Sequence, residues 1–245
     1  MPPIKYVIAI SALATSLMLS ATAQGVETSV NASNRGYYIN TGEHFDTAYN
    51  TFTGFTDEGF GRSAFRSFFV FDITEPTGAL SSAVLKLEVE RYFGNGAIQN
   101  LRIVDVGTPI NTLLVGHGLG SIEGQSIFAD IGSGQEYGNF SVVASDQGSI
   151  LTIPLNASAI TALQTRGVGS FAIGIYNLGS SGSSVIPDGV RFSGLPPGIL
   201  DEKNNPVPAR LAQLVLSPVP EPSSLSMLAI GLAVISVQLL RKRLQ

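Results

Sequence analysis

The chain has 245 residues, no cysteine and a formal charge of −4. Without cysteine there can be no disulfide, thiolate metal site, iron–sulfur cluster or cysteine nucleophile. Ten of the 14 basic residues and all 18 acidic residues lie between residues 24 and 222, which gives this part a formal charge of −8. Because nucleic-acid binding needs a basic surface, we expect no nucleic-acid partner.

The first 23 residues have the features of a secretory signal peptide. Lys5 is the only charge before a nearly continuous apolar run, and Ala21 and Ala23 frame an A-x-A cleavage site. Cleavage there makes Gln24 the first mature residue. The alternative, an N-terminal membrane anchor, requires a longer apolar run. The pattern predicts export through the general secretion machinery.

Residues 24–216 predict an all-β exported domain, because short apolar runs alternate with Gly, Ser, Thr and Asn. Val84–Tyr92 alternates between apolar and charged residues, whereas Arg66–Ile73 is apolar on both faces and predicts a central strand. One short helix is expected, with Asn156 as its N-cap and Gly167 as its stop. Further strands are expected at Tyr37–Asn40, Leu101–Val106, Ser141–Ala144, Ile150–Leu155, Phe171–Tyr176, Val190–Phe192 and Ala209–Leu216. Long glycine-rich connections are expected at Gly54–Gly61, Gly116–Gly138, Gly179–Gly189 and Gly194–Asn205. Eight to ten strands and one helix indicate a jelly-roll-like antiparallel β-sandwich.

Two of these strands resemble the jelly-roll domains of many exported bacterial proteins, in which a strand ending in F-D precedes an S-A-x-L-x-L strand. The matching positions are Arg66, Phe69, Phe71, Asp72, Ser82, Ala83, Leu85 and Leu87. The resemblance implies a jelly-roll fold. Relatives of this shape include carbohydrate-binding and adhesive modules, so the resemblance informs the fold more than the function.

Aromatic residues are concentrated in the first third of the body, from Tyr37 to Phe60. Because aromatic faces stack on sugar rings, Tyr37, Tyr49 and Phe55 are candidates for a glycan-binding platform. The alternative is that these side chains pack in the core of a sheet.

The sequence requires no cofactor, and Ca²⁺ is the candidate metal, with Asp57, Glu58 and loop carbonyls as ligands. His44 and His117 are the only histidines, and neither has a second histidine near it in sequence, so we expect no zinc site. A polysaccharide hydrolase would need a pair of acids or a histidine dyad in one cleft. The candidate acids lie in glycine-rich stretches and are Asp57, Glu58, Glu123, Asp130 and Glu136. We expect the protein not to be an enzyme.

Residues 217–245 combine three elements in a fixed order. Val219, Pro220, Glu221 and Pro222 form a stiff spacer, and an uncharged segment follows from Leu225 to Leu240. The segment predicts a transmembrane helix. Three basic residues end the pattern and place the C-terminus in the cytoplasm by the positive-inside rule. These are Arg241, Lys242 and Arg243.

This tripartite tail resembles the PEP-CTERM sorting signal of Gram-negative bacteria. The resemblance implies that an exosortase, a membrane protease-transpeptidase, recognises Pro220-Glu221-Pro222 and removes the tail. It also links the protein to exopolysaccharide and biofilm production. The alternative is a permanent C-terminal anchor. We therefore expect a non-enzymatic protein that is briefly held at the inner membrane and then released to the cell surface or extracellular matrix. The other candidate functions are a carbohydrate-binding module and, third, the hydrolase.

Overall fold

The structure is a computed structural model that describes residues 26–45, 51–57, 62–75, 78–94, 98–178, 187–193 and 211–219. Within these ranges it contains ten β-strands and three α-helices, and Glu27–Ser217 forms one compact unit. The strands are β1 Thr28–Ile39, β2 Thr51–Asp57, β3 Arg62–Ile73, β4 Leu80–Phe93, β5 Gln99–Asp105, β6 Glu136–Val142, β7 Ile150–Pro154, β8 Gly169–Asn177, β9 Asp188–Ser193 and β10 Ala212–Pro218. The helices are α1 Ile110–Leu113, α2 Ile122–Asp130 and α3 Ala157–Arg166.

Eight of the strands fall into two sets of four hydrogen-bonded neighbours. One set runs β1–β10–β4–β7 and the other runs β3–β8–β5–β6. Strand β1 joins the two sets, because residues 28–31 pair with β10 and the following residues pair with β3. Strands β2 and β9 connect β3 to β4. The sheet is mostly antiparallel, as the sequence predicted.

The main hydrophobic core contains side chains from both sets of strands. On β4, Leu85, Leu87 and Val89 are fully buried while the residues between them are half-buried, which confirms the predicted alternation. These side chains share one cluster with side chains from β3, β5, β8, β9 and β10. The cluster also includes Phe69, Phe71, Leu101, Ile103, Ile173, Ile175, Phe192 and Leu214.

Strand β3 is buried on both faces. Phe69 and Phe71 belong to the main core, whereas Phe68 and Val70 belong to a second cluster with side chains of α1 and α2. The continuous apolar run therefore has a physical reason, because helices cover the face of β3 that the main core does not use. The prediction of a central strand is confirmed.

The predicted helix is present as α3. The Asn156 side chain accepts a hydrogen bond from Ala159 N at 3.1 Å, and Gly167 ends the helix with φ of 64°. The prediction of a single helix is wrong, however, because α2 lies in a stretch that we expected to be a glycine-rich connection. Ser121 caps α2 by accepting a hydrogen bond from Gly124 N at 3.1 Å.

Strand β2 also replaces part of an expected loop, since residues 54–57 of the glycine-rich stretch belong to it. Gly54 lies opposite Gly189 of β9, and a side chain on Gly54 would collide with the backbone of Asp188. Two facing glycines therefore allow β2 and β9 to pair closely, and glycine here marks a close approach of two strands.

The predicted signal peptide, residues 1–23, and the predicted transmembrane helix, residues 225–240, lie outside the described residues. Tyr49 and Glu58 do so as well. In the part of the chain that the structure describes, no helix has the length and apolar character needed to span a bilayer. Both terminal segments and the three-part domain division stay predictions.

Candidate functional site

The predicted sorting signal follows directly from the last strand of the sheet. Leu214 and Leu216 of β10 are buried in the main core, and Ser217 O accepts a hydrogen bond from Ser81 Oγ at 2.9 Å. Val219 is 45% exposed, and residues 220–245 lie outside the described ranges. The chain therefore belongs to the sheet up to the residues immediately before the Pro-Glu-Pro motif. The predicted cleavage residues Ala21, Ala23 and Gln24 also lie outside the described ranges.

One concave surface of the described residues is a groove of about 260 Å³ with aromatic walls. Tyr37 of β1 and Phe52 of β2 each pack on Phe65 of β3, with ring centroids 5.5 and 5.2 Å apart, and Phe93 of β4 lies 5.6 Å from Phe52. Thr56, Pro187 and Arg191 complete the lining. We call this surface the aromatic groove; five strands contribute to it.

The structure describes two of the three predicted glycan-binding residues and places them differently. Tyr37 lines the aromatic groove, and its ring is half-buried. The Arg62 guanidinium lies over the ring of Phe55, with its central carbon 4.0 Å from the ring centroid. Tyr49 lies outside the described residues. Sequence reasoning missed Phe65, Phe93 and Arg191, because the pairing of separate strands brings them together.

The two histidines lie side by side, although 73 positions separate them in sequence. His44 and His117 form an antiparallel bridge, with His44 N 2.9 Å from His117 O and His117 N 3.0 Å from His44 O. His44 is 3% exposed, and its ring stacks on Tyr38 with centroids 4.5 Å apart. The two histidines are therefore close enough in space to remain a candidate dyad for the hydrolase hypothesis, although nothing in the sequence indicated that they are neighbours.

The surroundings of the pair are tightly packed and hydrogen-bonded. Tyr38 is fully buried and donates a hydrogen bond to Leu113 O at 3.0 Å. Burial, reinforced by the negative charge of Glu123, raises the pKa of Tyr38. Ser121 Oγ lies 3.3 Å from His117 Nδ1, but the same oxygen already caps α2. Across the described ranges, no three His, Cys, Asp or Glu residues are grouped as metal ligands.

Two of the described acids that were candidates for glycoside hydrolysis bind neighbouring parts of the body. Asp130 Oδ2 accepts hydrogen bonds from Thr108 N and Oγ1 at 2.8 and 2.6 Å. Glu136 pairs with Arg102 at 3.1 Å. Asp57, the described half of the predicted calcium pair, is exposed at the end of β2.

One buried acid was not singled out by the sequence. Asp188 is 1% exposed, and its Oδ1 accepts a hydrogen bond from Gln99 Nε2 at 2.6 Å, while Gln99 Oε1 accepts one from Asn177 Nδ2 at 2.6 Å. Its Oδ2 has no hydrogen-bond partner among the described residues. The chain of amides positions this carboxyl group where β9 begins, next to the aromatic groove residue Pro187.

A second, wider groove of about 630 Å³ lies along α3, with Asp105, Tyr137 and Arg166 among its lining residues. Tyr137 donates a hydrogen bond to Asp105 Oδ1 at 2.9 Å. Burial and this hydrogen bond raise the pKa of Tyr137. The Arg166 side chain donates a hydrogen bond to Ser170 O at 2.7 Å.

Comparison with known protein families identifies the C-terminal tail, residues 218–243. Residues 218–243 match the family model of the PEP-CTERM protein-sorting motif. This match confirms the resemblance that the sequence indicated, and it marks an exported protein that is targeted to an exosortase and transiently held at a membrane. No curated protein matches the chain.

Proposed function

Starting from the sorting signal that the chain carries, we propose that it is a non-enzymatic structural protein of the cell surface or extracellular matrix. The exosortase removes the tail at Pro220-Glu221-Pro222 and releases the folded body. The observation that carries this proposal is the sorting motif at residues 218–243, directly after the last strand of the sheet.

The position of β10 supports release of an intact body. Residues of this strand are buried in the main core, and the strand ends at Pro218, before the Pro-Glu-Pro motif. A cut at or beyond the motif leaves every core side chain of the described residues in the body, so we expect the free energy of unfolding of the body to stay essentially unchanged.

The strand order supports a jelly roll as the fold of the body. Eight strands in the two sets β1–β10–β4–β7 and β3–β8–β5–β6 correspond to two interlocked Greek keys. Strands β2 and β9 are then an insertion that connects the sets and contributes to the aromatic groove.

A double substitution in the motif tests the sorting function. In the natural host, Pro220→Ala with Glu221→Ala should leave the uncut chain in the membrane fraction, because the protease loses its recognition residues. Ser223→Ala, which keeps the motif, is the matched control and should be processed like the unaltered protein. Equal processing of both variants would contradict the proposal.

The aromatic groove favours carbohydrate binding as a second candidate function. Four aromatic rings form a concave wall, and Tyr37, Phe52 and Phe93 are only half-buried. Such rings offer the apolar faces on which sugars stack. Tyr37→Ala should weaken polysaccharide binding by the full chain in detergent, measured with and without Ca²⁺. Unchanged binding would remove the groove as the site.

A further inference from the structure

Two arginines face each other beside Phe93, a lining residue of the aromatic groove. Arg91 of β4 lies directly opposite Arg191 of β9 in the antiparallel register. Like charges at such positions destabilise a sheet. Glu90 offers partial compensation, with Oε1 3.7 Å from an Arg191 nitrogen. The pair therefore retains an excess of positive charge.

The ring of Phe93 holds both guanidinium groups in place. The central carbon of Arg91 lies 5.0 Å from the ring centroid and that of Arg191 lies 5.7 Å from it. Both distances fall within the range of cation–π attraction. This arrangement keeps two guanidinium groups beside an aromatic ring, and the cation–π contacts leave their positive charges in place.

This charge contrasts with the rest of the body. Residues 24–222 carry a formal charge of −8 and contain only ten basic residues. Two of the ten, Arg91 and Arg191, meet at Phe93. In an acidic protein, a local concentration of arginine beside a groove is complementary to an anionic ligand.

The groove limits the size and polarity of that ligand. Its volume of about 260 Å³ is below the ~300–1,000 Å³ of pockets for drug-sized molecules, so it suits one ring of a longer chain. The wall also contains Thr56 Oγ1, which is buried and has no hydrogen-bond partner among the described residues. Rotation of this side chain would present its hydroxyl to a ligand hydroxyl.

We propose that the aromatic groove binds an acidic polysaccharide through a sugar ring that carries a carboxylate, a uronate. The ring packs against Tyr37, Phe52 and Phe93, and the carboxylate accepts hydrogen bonds from Arg191 and Arg91. Guanidinium groups suit this task because their forked donors match the two oxygens of a carboxylate. The proposal rests on the second candidate function and names its ligand class.

The test compares two forms of one polymer, polygalacturonate and its methyl ester, with the full chain in detergent. Binding to polygalacturonate should exceed binding to the ester by about tenfold or more and should weaken as salt is added. The exposed Arg91→Gln and the half-buried Arg191→Gln should each remove most of this preference. Lys86→Gln, on the same strand, loses the same charge away from the groove and should keep it.

Each outcome decides a separate question. Equal binding of acid and ester would overturn the uronate proposal while leaving the groove as a neutral glycan site. Binding of neither polymer would overturn the uronate proposal and count against the glycan function, whereas sorting is judged independently by fractionation. Equal losses in Lys86→Gln and Arg91→Gln would reduce the effect to general charge and also overturn the proposal.

Discussion

At the scale of single residues, Gly36 shows how tightly the histidine pair is packed. A methyl group at this position would lie 2.7 Å from His44 Cε1 and 2.8 Å from Phe68 Cζ. Both neighbours are buried, so neither can move aside freely. We predict that Gly36→Ala lowers the free energy of unfolding by about 1–3 kcal/mol, measured by urea denaturation.

Gly118 provides the matched control for this substitution. A methyl group there meets no atom within 4 Å, and its φ lies outside the positive range. Gly118→Ala should therefore change stability by no more than about 0.5 kcal/mol. Equal effects at both positions would show that Gly36 is not packed against the histidine pair.

Two buried tyrosines predict a loss of stability in alkali. The pKa of Tyr38 is raised by burial and by Glu123, and that of Tyr137 is raised by burial and by Asp105. Above pH ~10, the unfolded chain releases these phenol protons while the folded chain retains them, so the unfolded state binds fewer protons and stability falls as the pH rises.

Arg35 acts in the opposite direction, because burial lowers its pKa to about 10. Between pH ~10 and ~12.5, the unfolded chain keeps the Arg35 proton that the folded chain has lost, which favours the folded state as the pH rises.

Because the raised pKa of Tyr38 contributes to the loss of stability in alkali, Tyr38→Phe should make stability fall less steeply with pH above 10. An unchanged slope in urea titrations across this range would contradict the buried placement of Tyr38.

At the scale of elements, α2 should stabilise the body through one face only. Ile127 is buried against β3 and β8 in the second cluster, whereas Ile122 on the same helix is 81% exposed. Ile127→Ala should cost about 2–5 kcal/mol, because it opens a cavity. Ile122→Ala is the same change without a cavity, and equal urea midpoints for the two variants would refute this packing.

The sequence predicts elements wherever the pattern is local. Alternation identifies β4, a doubly apolar run identifies β3, and the pair Asn156 and Gly167 brackets α3. The missed elements lack such local signals. Helix α2 has only a narrow apolar face in glycine-rich surroundings, and β2 contains Gly54, whose meaning depends on Gly189 of a distant strand.

The candidate site was less predictable than the fold. Tyr37 was singled out from composition, but Phe93 and Arg191 join it only through the pairing of β2, β4 and β9. The contact between His44 and His117 has the same origin, since a bridge between two loops leaves no periodicity in the sequence. The sorting motif was predictable because its three parts are contiguous.

At the scale of the whole molecule, sorting and folding are assigned to different parts of the chain. Glu27–Ser217 contains both hydrophobic clusters, and the sorting motif begins at residue 218. The body should therefore keep its stability and its groove after the tail is removed.

The most direct test of this account is the intact mass of the protein recovered from the cell surface or the medium of its natural host. The account predicts a single product that begins at Gln24, ends within or close to Pro220-Glu221-Pro222 apart from any group attached there, and lacks Leu225–Leu240. Recovery of the surface form at the full 25.7 kDa, or with residues 225–240 still attached, would contradict it.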